Sequence, residues 1–175
     1  MRKTNPNRET NLEASRKMLA HATAGEFGDV LLCYMKGGDP LYKNEKGTSV
    51  IIELAKGSYG ECVVALVTEI NADLLKVTDN GGGTAATWLA YRGQVEAVVE
   101  LAQFDPTILE HFCNYGSSVA TLLATRLDVV AVRALAHINP AVFGQPVIAA
   151  VAKSKASDAE KDKAVRLLKE AGFTK

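Results

Sequence analysis

One stretch constrains everything else in this chain. Thr84–Pro106, TAATWLAYRGQVEAVVELAQFDP, moved forward by 34 residues, lands on Ser118–Pro140, SVATLLATRLDVVAVRALAHINP, with 11 of 23 positions identical. The identities include Ala86/Ala120, Leu89/Leu123, Ala90/Ala124, Arg92/Arg126, Val98/Val132, Leu101/Leu135 and Pro106/Pro140. Most are small or apolar and fall at helical spacing, so the recurring object is a packing unit. Self-similarity at a period of this size marks a stacked repeat array. In such an array each unit is amphipathic and buries its apolar face only against its neighbours.

The same phrase can be followed along the chain. A helical pattern opens near Leu12, with Met18, Leu19 and Ala22 able to share a face, and breaks at Gly25. The apolar run Val30–Met35 stops at Gly37-Gly38-Asp39-Pro40, where Gly can turn left-handed and Pro cannot continue a helix. Further helix pairs are expected over Thr48–Ala55 with Glu61–Ile70, Thr84–Tyr91 with Val95–Gln103, Val119–Thr125 with Val129–His137, and Pro146–Ala152 with Asp158–Ala171. Closing acidic or amide residues at 39, 73, 105 and 139 are 34, 32 and 34 apart, and the helix openers Thr48, Thr84 and Ser118 are 36 and 34 apart. Residues 1–11 read as a flexible polar lead-in and 12–175 as one repeat domain, with units of about 12–40, 41–73, 74–106, 107–140 and 141–175. Ser157 is an expected N-cap for the last helix, with Glu160 in its first turn.

Charge and cysteine usage exclude several classes. Lys+Arg and Asp+Glu are 20 each, a formal net charge of zero, against the basic excess expected of a nucleic-acid binder. Cys33, Cys62 and Cys113 are odd in number and widely spaced, which speaks against a disulfide framework and for a reducing compartment. The opening MRKTNPNRETNLE has no apolar core of a signal peptide, and no run nears the ~18 apolar residues that span a bilayer. The expectation is a cytoplasmic protein with no membrane association.

Short helix, tight turn, longer helix and extended turn at a period near 33 resemble the ankyrin repeat. Gly25–Asp39 (GEFGDVLLCYMKGGD) resembles that family's second helix and closing phrase, and Asn71-Ala72-Asp73 with Asp79-Asn80-Gly81-Gly82-Gly83-Thr84 resembles its turn. Thr48 to Gly57 and Thr84 to Gly93 are each nine residues, the family's opener-to-glycine distance. The likeness covers about residues 16–172. The family's Thr-Pro-Leu-His opening is replaced by Thr48-Ser49-Val50-Ile51, Thr84-Ala85-Ala86-Thr87 and Ser118-Val119-Ala120-Thr121, and Leu127 stands where the inter-helix glycine belongs. The fold class expected is all-α, an ankyrin-like solenoid of about five helix-turn-helix units; the alternative is a HEAT-like α-solenoid.

No catalytic constellation stands out. His111 and Cys113, two apart in an expected turn, are the nearest to half a metal site or a nucleophile with its base; zinc would need two more ligands, and no other Cys/His pair exists. A small metal- or thiol-dependent protein using His111 and Cys113 is the alternative function. Gly81–Gly83 lack the Lys and the preceding strand of a phosphate-binding loop and read as turn glycines. Trp88 aligns with Leu122 and is expected in the core; His21 and His137 are expected partly buried and hydrogen-bonded; Lys153–Lys163 reads as a solvated face. No cofactor is expected.

The resemblance implies a non-enzymatic protein-protein interaction module that holds its partner in a groove of turns and first helices. Family contact positions, carried over one at a time, are Ala55 and Lys56, Tyr91 and Arg92, Thr125 and Arg126, with Glu45, Lys46, Asn80, Gly81 and Gly83 at the turns. Tyr42 and Lys43 precede the first turn and Tyr115 sits at a later one. Lys56, Arg92 and Arg126 would form a basic strip, one per layer, with Tyr91 and Tyr115 as aromatic anchors for an acidic protein partner. The protein itself is expected to be a monomer; a homomeric neighbour filling the groove is a third reading. An array this divergent is also compatible with a bacterial protein delivered into a host cell.

Overall fold

The computed structural model describes residues 11–140, 145–153, 155 and 157–170. The expected lead-in up to residue 10, the turn at 141–144 and the chain from 171 onward, with the expected stop at Gly172, lie outside these residues. The described chain is all-helical: α1 (Leu12–Ala24), α2 (Phe27–Met35), α3 (Val50–Lys56), α4 (Gly60–Ala65), α5 (Ala85–Arg92), α6 (Val95–Phe104), α7 (Val119–Thr125), α8 (Val129–Ile138), α9 (Gln145–Ala152) and α10 (Asp158–Glu170). Two isolated antiparallel bridges, Lys43 with Ser49 and Thr78 with Thr84, are the only extended pairing among the described residues. No helix there is long and apolar enough to cross a membrane.

Each odd-numbered helix packs on the helix that follows it. The odd helices also pack in sequence, α1 on α3, α3 on α5, α5 on α7 and α7 on α9, while α4 packs on α6, α6 on α8 and α8 on α10. The 34-residue periodicity explains why. Ala85, Ala86 and Ala90 of α5, and Ala120 and Ala124 of α7, are buried, so adjacent first helices can approach closely. Leu54, Leu89 and Leu123 fill the space between them at complete burial, each contributing about 1.5–3 kcal/mol relative to exposure.

The second pair sits one residue later than the glycine pattern indicates. Residues between paired helices adopt the left-handed conformation at Gly25 (φ 79), Ser58 (φ 67), Gly93 (φ 78) and Leu127 (φ 59). Gly57 stays right-handed at φ −75 and closes α3, so Ser58 makes the turn and Ser49, not Thr48, is the N-cap equivalent to Thr84 and Ser118. Ala55 thereby aligns with Ala90 and Ala124, and all three are buried; it is no contact residue. Lys56 aligns with Tyr91 and Thr125, so Lys56, Arg92 and Arg126 do not occupy equivalent positions.

A second difference follows in the same unit. Asn71, Asp105 and Asn139 are the equivalent closing residues, spaced 34 and 34, because each is the first residue past a second helix; Asp73 lies past that point. From the left-handed residue to the closing residue there are 13 positions in this unit (58 to 71) and 12 in the next two (93 to 105, 127 to 139). The extra residue is absorbed by a π-helical segment, Leu66–Ile70, that extends α4; one wide turn takes up an insertion without ending the helix. The linkers contain 3-10 helices over Ala72–Lys76 and Pro106–Leu109, with the Asn71 and Asp105 side chains capping their first N–H groups.

Caps differ by unit. Thr84 Oγ1 accepts from the Thr87 N–H at 3.3 Å, and Ser118 with Thr121 forms a complete capping box. In the second unit the third helical position is Ile52, and the buried Ser49 hydroxyl has no partner. At α10 the first-turn Glu160 reaches back to the expected cap residue: Ser157 donates its hydroxyl and its N–H to Glu160 Oε2 at 2.6 and 3.0 Å, which holds that carboxyl below its ordinary pKa.

Candidate functional site

Three extended turns are built alike. In Asn44–Thr48, Asp79–Gly83 and Cys113–Ser117 the first residue's N–H donates to the carbonyl of the last, and Gly47, Gly82 and Gly116 turn left-handed in each. Asn44 and Asp79 reinforce their turns by accepting two backbone N–H groups each through Oδ1, Lys46 and Thr48 in one case, Gly81 and Gly83 in the other. This is the local chemistry for which Asn and Asp favour turns.

The turns are also tied to one another. Asn80 Nδ2 donates to Lys46 O at 2.9 Å, and Asn114 Nδ2 to Asn80 O at 3.3 Å. The Asn114 backbone N–H donates to Gly81 O at 2.9 Å, and Lys43 Nζ reaches Thr78 O at 2.6 Å. His111 Nε2 lies 2.6 Å from Gly82 O; a carbonyl only accepts, so Nε2 carries the proton.

Between the Asp79–Gly83 and Cys113–Ser117 turns, over α5 and α7, lies a cleft of about 310 Å³ walled by Trp88, Tyr91, Tyr115 and Leu122. Trp88 is fixed on three sides. Its Nε1–H donates to Asp79 Oδ2 at 2.8 Å, Lys56 Nζ lies 4.9 Å from its ring centroid, and Tyr91 meets it edge-on at 5.8 Å and 83°. Trp88 is therefore half-buried at the cleft wall, packed against the core without being part of it: the turn that leads into its own helix supplies a carboxylate that its N–H can reach. Tyr115 is 86% exposed and Tyr91 56%. The cleft therefore leaves two large aromatic side chains open to water side by side.

The other residues expected at the site distribute as follows. Arg92, Thr125 and Arg126, with Tyr91 and Leu122, line an adjoining hollow of about 380 Å³. Tyr42, Glu45 and Lys46 line an open hollow of about 510 Å³ against α1, with Arg16 and Leu19 on its other side. Asn80 is exposed but spends its side chain on the neighbouring turn, and Gly83 is buried in its own. Lys56 lies 3.7 Å from Glu53 and 3.9 Å from Asp79, so it belongs to the support of Trp88 more than to an open basic strip. Trp88, Asp79 and Leu122 were not among the residues expected here; the one signal for them was a turn carboxylate nine positions before a helical tryptophan.

His111 and Cys113 do not share a metal-binding group. Among the described residues the set of three ligand-type side chains that comes together is His21, Glu26 and Asp29, with His21 Nδ1 already 2.6 Å from Glu26 Oε2. His137 is exposed, where partial burial was expected. All three cysteines are free, and burial, followed by the neighbouring Glu61 carboxylate, pushes the Cys62 thiol above its ordinary pKa. No family model matches the chain, and no curated protein matches it.

Proposed function

We propose that the chain is an ankyrin-like repeat array that acts as a non-enzymatic protein-binding module, holding its partner across the turns and first helices. The solenoid reading is supported by helix pairs whose first helices pack in chain order, by left-handed residues at intervals of 33, 35 and 34, and by turns hydrogen-bonded to the turn one layer away. The observation that carries the functional reading is the aromatic cleft. Three aromatic rings are displayed on a frame whose turns and tryptophan are already locked, so little ordering entropy remains to oppose binding. Aromatic anchors in a rigid setting are the usual carriers of interface energy.

The test uses a partner isolated by affinity purification and identified by mass spectrometry. Tyr115→Ala in the cleft should weaken its binding at least tenfold by calorimetry. Val130→Ala, an equally exposed apolar side chain on α8, should leave binding unchanged. Equal loss from both, or loss only from Val130→Ala, removes the cleft from the account.

A further inference from the structure

The cleft has a charged margin. Tyr91 and Leu122 line both the aromatic cleft and the hollow that holds Arg92 and Arg126, so the two spaces adjoin. Neither arginine has an acidic partner among the ion pairs of the described residues, whereas Lys56 has two. Arg126 is nonetheless placed. Its Nη1 donates to the Tyr91 carbonyl at 3.2 Å, and a Cβ at Gly93 would stand 2.7 Å from its Nη2, so the missing side chain at 93 is what lets the guanidinium lie there. One hydrogen bond leaves most of its donor fork unused. In a chain of zero net charge, two uncompensated cations beside an apolar cleft are a local feature with no general basic surface behind it.

We propose that the cleft and the arginine pair form one composite site for a peptide segment of a partner protein, a segment that places a carboxylate within two residues of a large apolar side chain. The apolar group enters between Trp88 and Tyr115, and the carboxylate meets Arg92 and Arg126, which can bind it through paired N–H donors. This deepens the protein-binding reading and rests on it. Aromatic rings with arginine also suit nucleic-acid bases, but the Asp79 carboxylate lines the cleft and opposes a polyanion.

Trp88 is the only tryptophan of the chain, so its fluorescence reports on the cleft itself. The experiment selects random twelve-residue displayed peptides lacking tryptophan on the full chain. The most enriched peptide and a copy with Asp and Glu changed to Asn and Gln are then titrated against Trp88 fluorescence. The enriched sequences should carry Phe, Tyr, Leu or Met with an acidic residue within two positions. The amide copy, and the Arg92→Glu/Arg126→Glu protein, should each bind at least tenfold more weakly. Both arginines are exposed, so the charge reversal leaves the fold intact, and Tyr115→Ala should also weaken binding at least tenfold. Enriched peptides without an acid, or binding unchanged by the arginine reversal, overturn the composite site while loss in Tyr115→Ala keeps the cleft. Absence of enrichment, or enrichment indifferent to Tyr115→Ala, overturns both. A labelled twelve-nucleotide oligothymidine bound more tightly than any peptide replaces the proposed partner class with single-stranded nucleic acid.

Discussion

Gly60→Val should cost the fold about 2–3 kcal/mol, an effect opposite in sign to what helix propensity alone dictates. Gly60 opens α4 and is buried. Valine, phenylalanine and valine open α6, α2 and α8 at the equivalent positions. Removing a glycine from a helix normally stabilises it by ~0.5–1 kcal/mol. Here a Cβ at residue 60 would stand 2.7 Å from the Ala97 Cβ, a contact that neither atom can relieve by rotation. The bulkier side chain must therefore push α4 from α6 or distort one of them. Urea denaturation measures the cost, and Ala97→Gly in the same chain should recover about half of it by emptying the contested space. An unchanged midpoint for Gly60→Val would mean that the two helices do not approach as described.

The same residue shows why some of the architecture could be read from sequence and some could not. Helix positions were legible because small and apolar residues recur at helical spacing with turn residues between them. Leu12, Val95, Val119, Val129 and Asp158 begin helices where the pattern places them or within a residue. The register of the second unit was not legible. Gly57 looks like the residue that turns left-handed, yet α3 runs one residue further and Ser58 takes the strained conformation. Sequence carries no mark for that choice, since serine is an ordinary right-handed residue and the cost of ~1–2 kcal/mol is met by packing on both sides. The inserted residue of α4 was equally hidden, because a π segment keeps the apolar face continuous.

At the cleft, Tyr91, Arg92, Tyr115, Thr125 and Arg126 were reached through a family resemblance applied position by position, and the structure gathers them around two adjoining hollows. Trp88 is half-buried and not in the core because its counterpart Leu122 is itself half-buried and lines the same cleft, and the alignment says nothing of polarity. Leucine needs no partner at that position, whereas an indole N–H half withdrawn from water needs an acceptor, and only the Asp79–Gly83 turn offers one. Lys56 was misplaced by the one-residue slip in its unit.

Asp79 is the second position where a large effect is expected, and it divides into two. Its Oδ1 accepts the Gly81 and Gly83 N–H groups and its Oδ2 accepts the Trp88 indole, in a side chain only 12% exposed. Asp79→Ala leaves three donors without their acceptor and should cost about 2 kcal/mol, the usual penalty for partly buried groups stripped of a partner. Asp79→Asn keeps an oxygen for the turn, as Asn44 does one layer earlier, but presents an amide N–H₂ to a group that can only donate. It should lose about half as much stability and shift the Trp88 emission, because the ring is no longer anchored. Urea titrations followed by tryptophan fluorescence read both quantities in one experiment. Equal stability for Asp79→Ala and the unaltered chain would show that this carboxylate does not organise the cleft.

The proposed array depends on turns one repeat apart being joined, since in it that junction would link successive helix pairs and hold the cleft open. The most direct measurement is the scalar coupling across the hydrogen bond from the Asn114 backbone N–H to the Gly81 carbonyl, 33 residues apart in sequence and 2.9 Å apart in the fold. A resolved through-bond coupling between that nitrogen and that carbonyl carbon, with an amide proton that exchanges slowly, is the predicted result. An Asn114 amide that exchanges at the rate of an open loop and shows no coupling to Gly81 would contradict it.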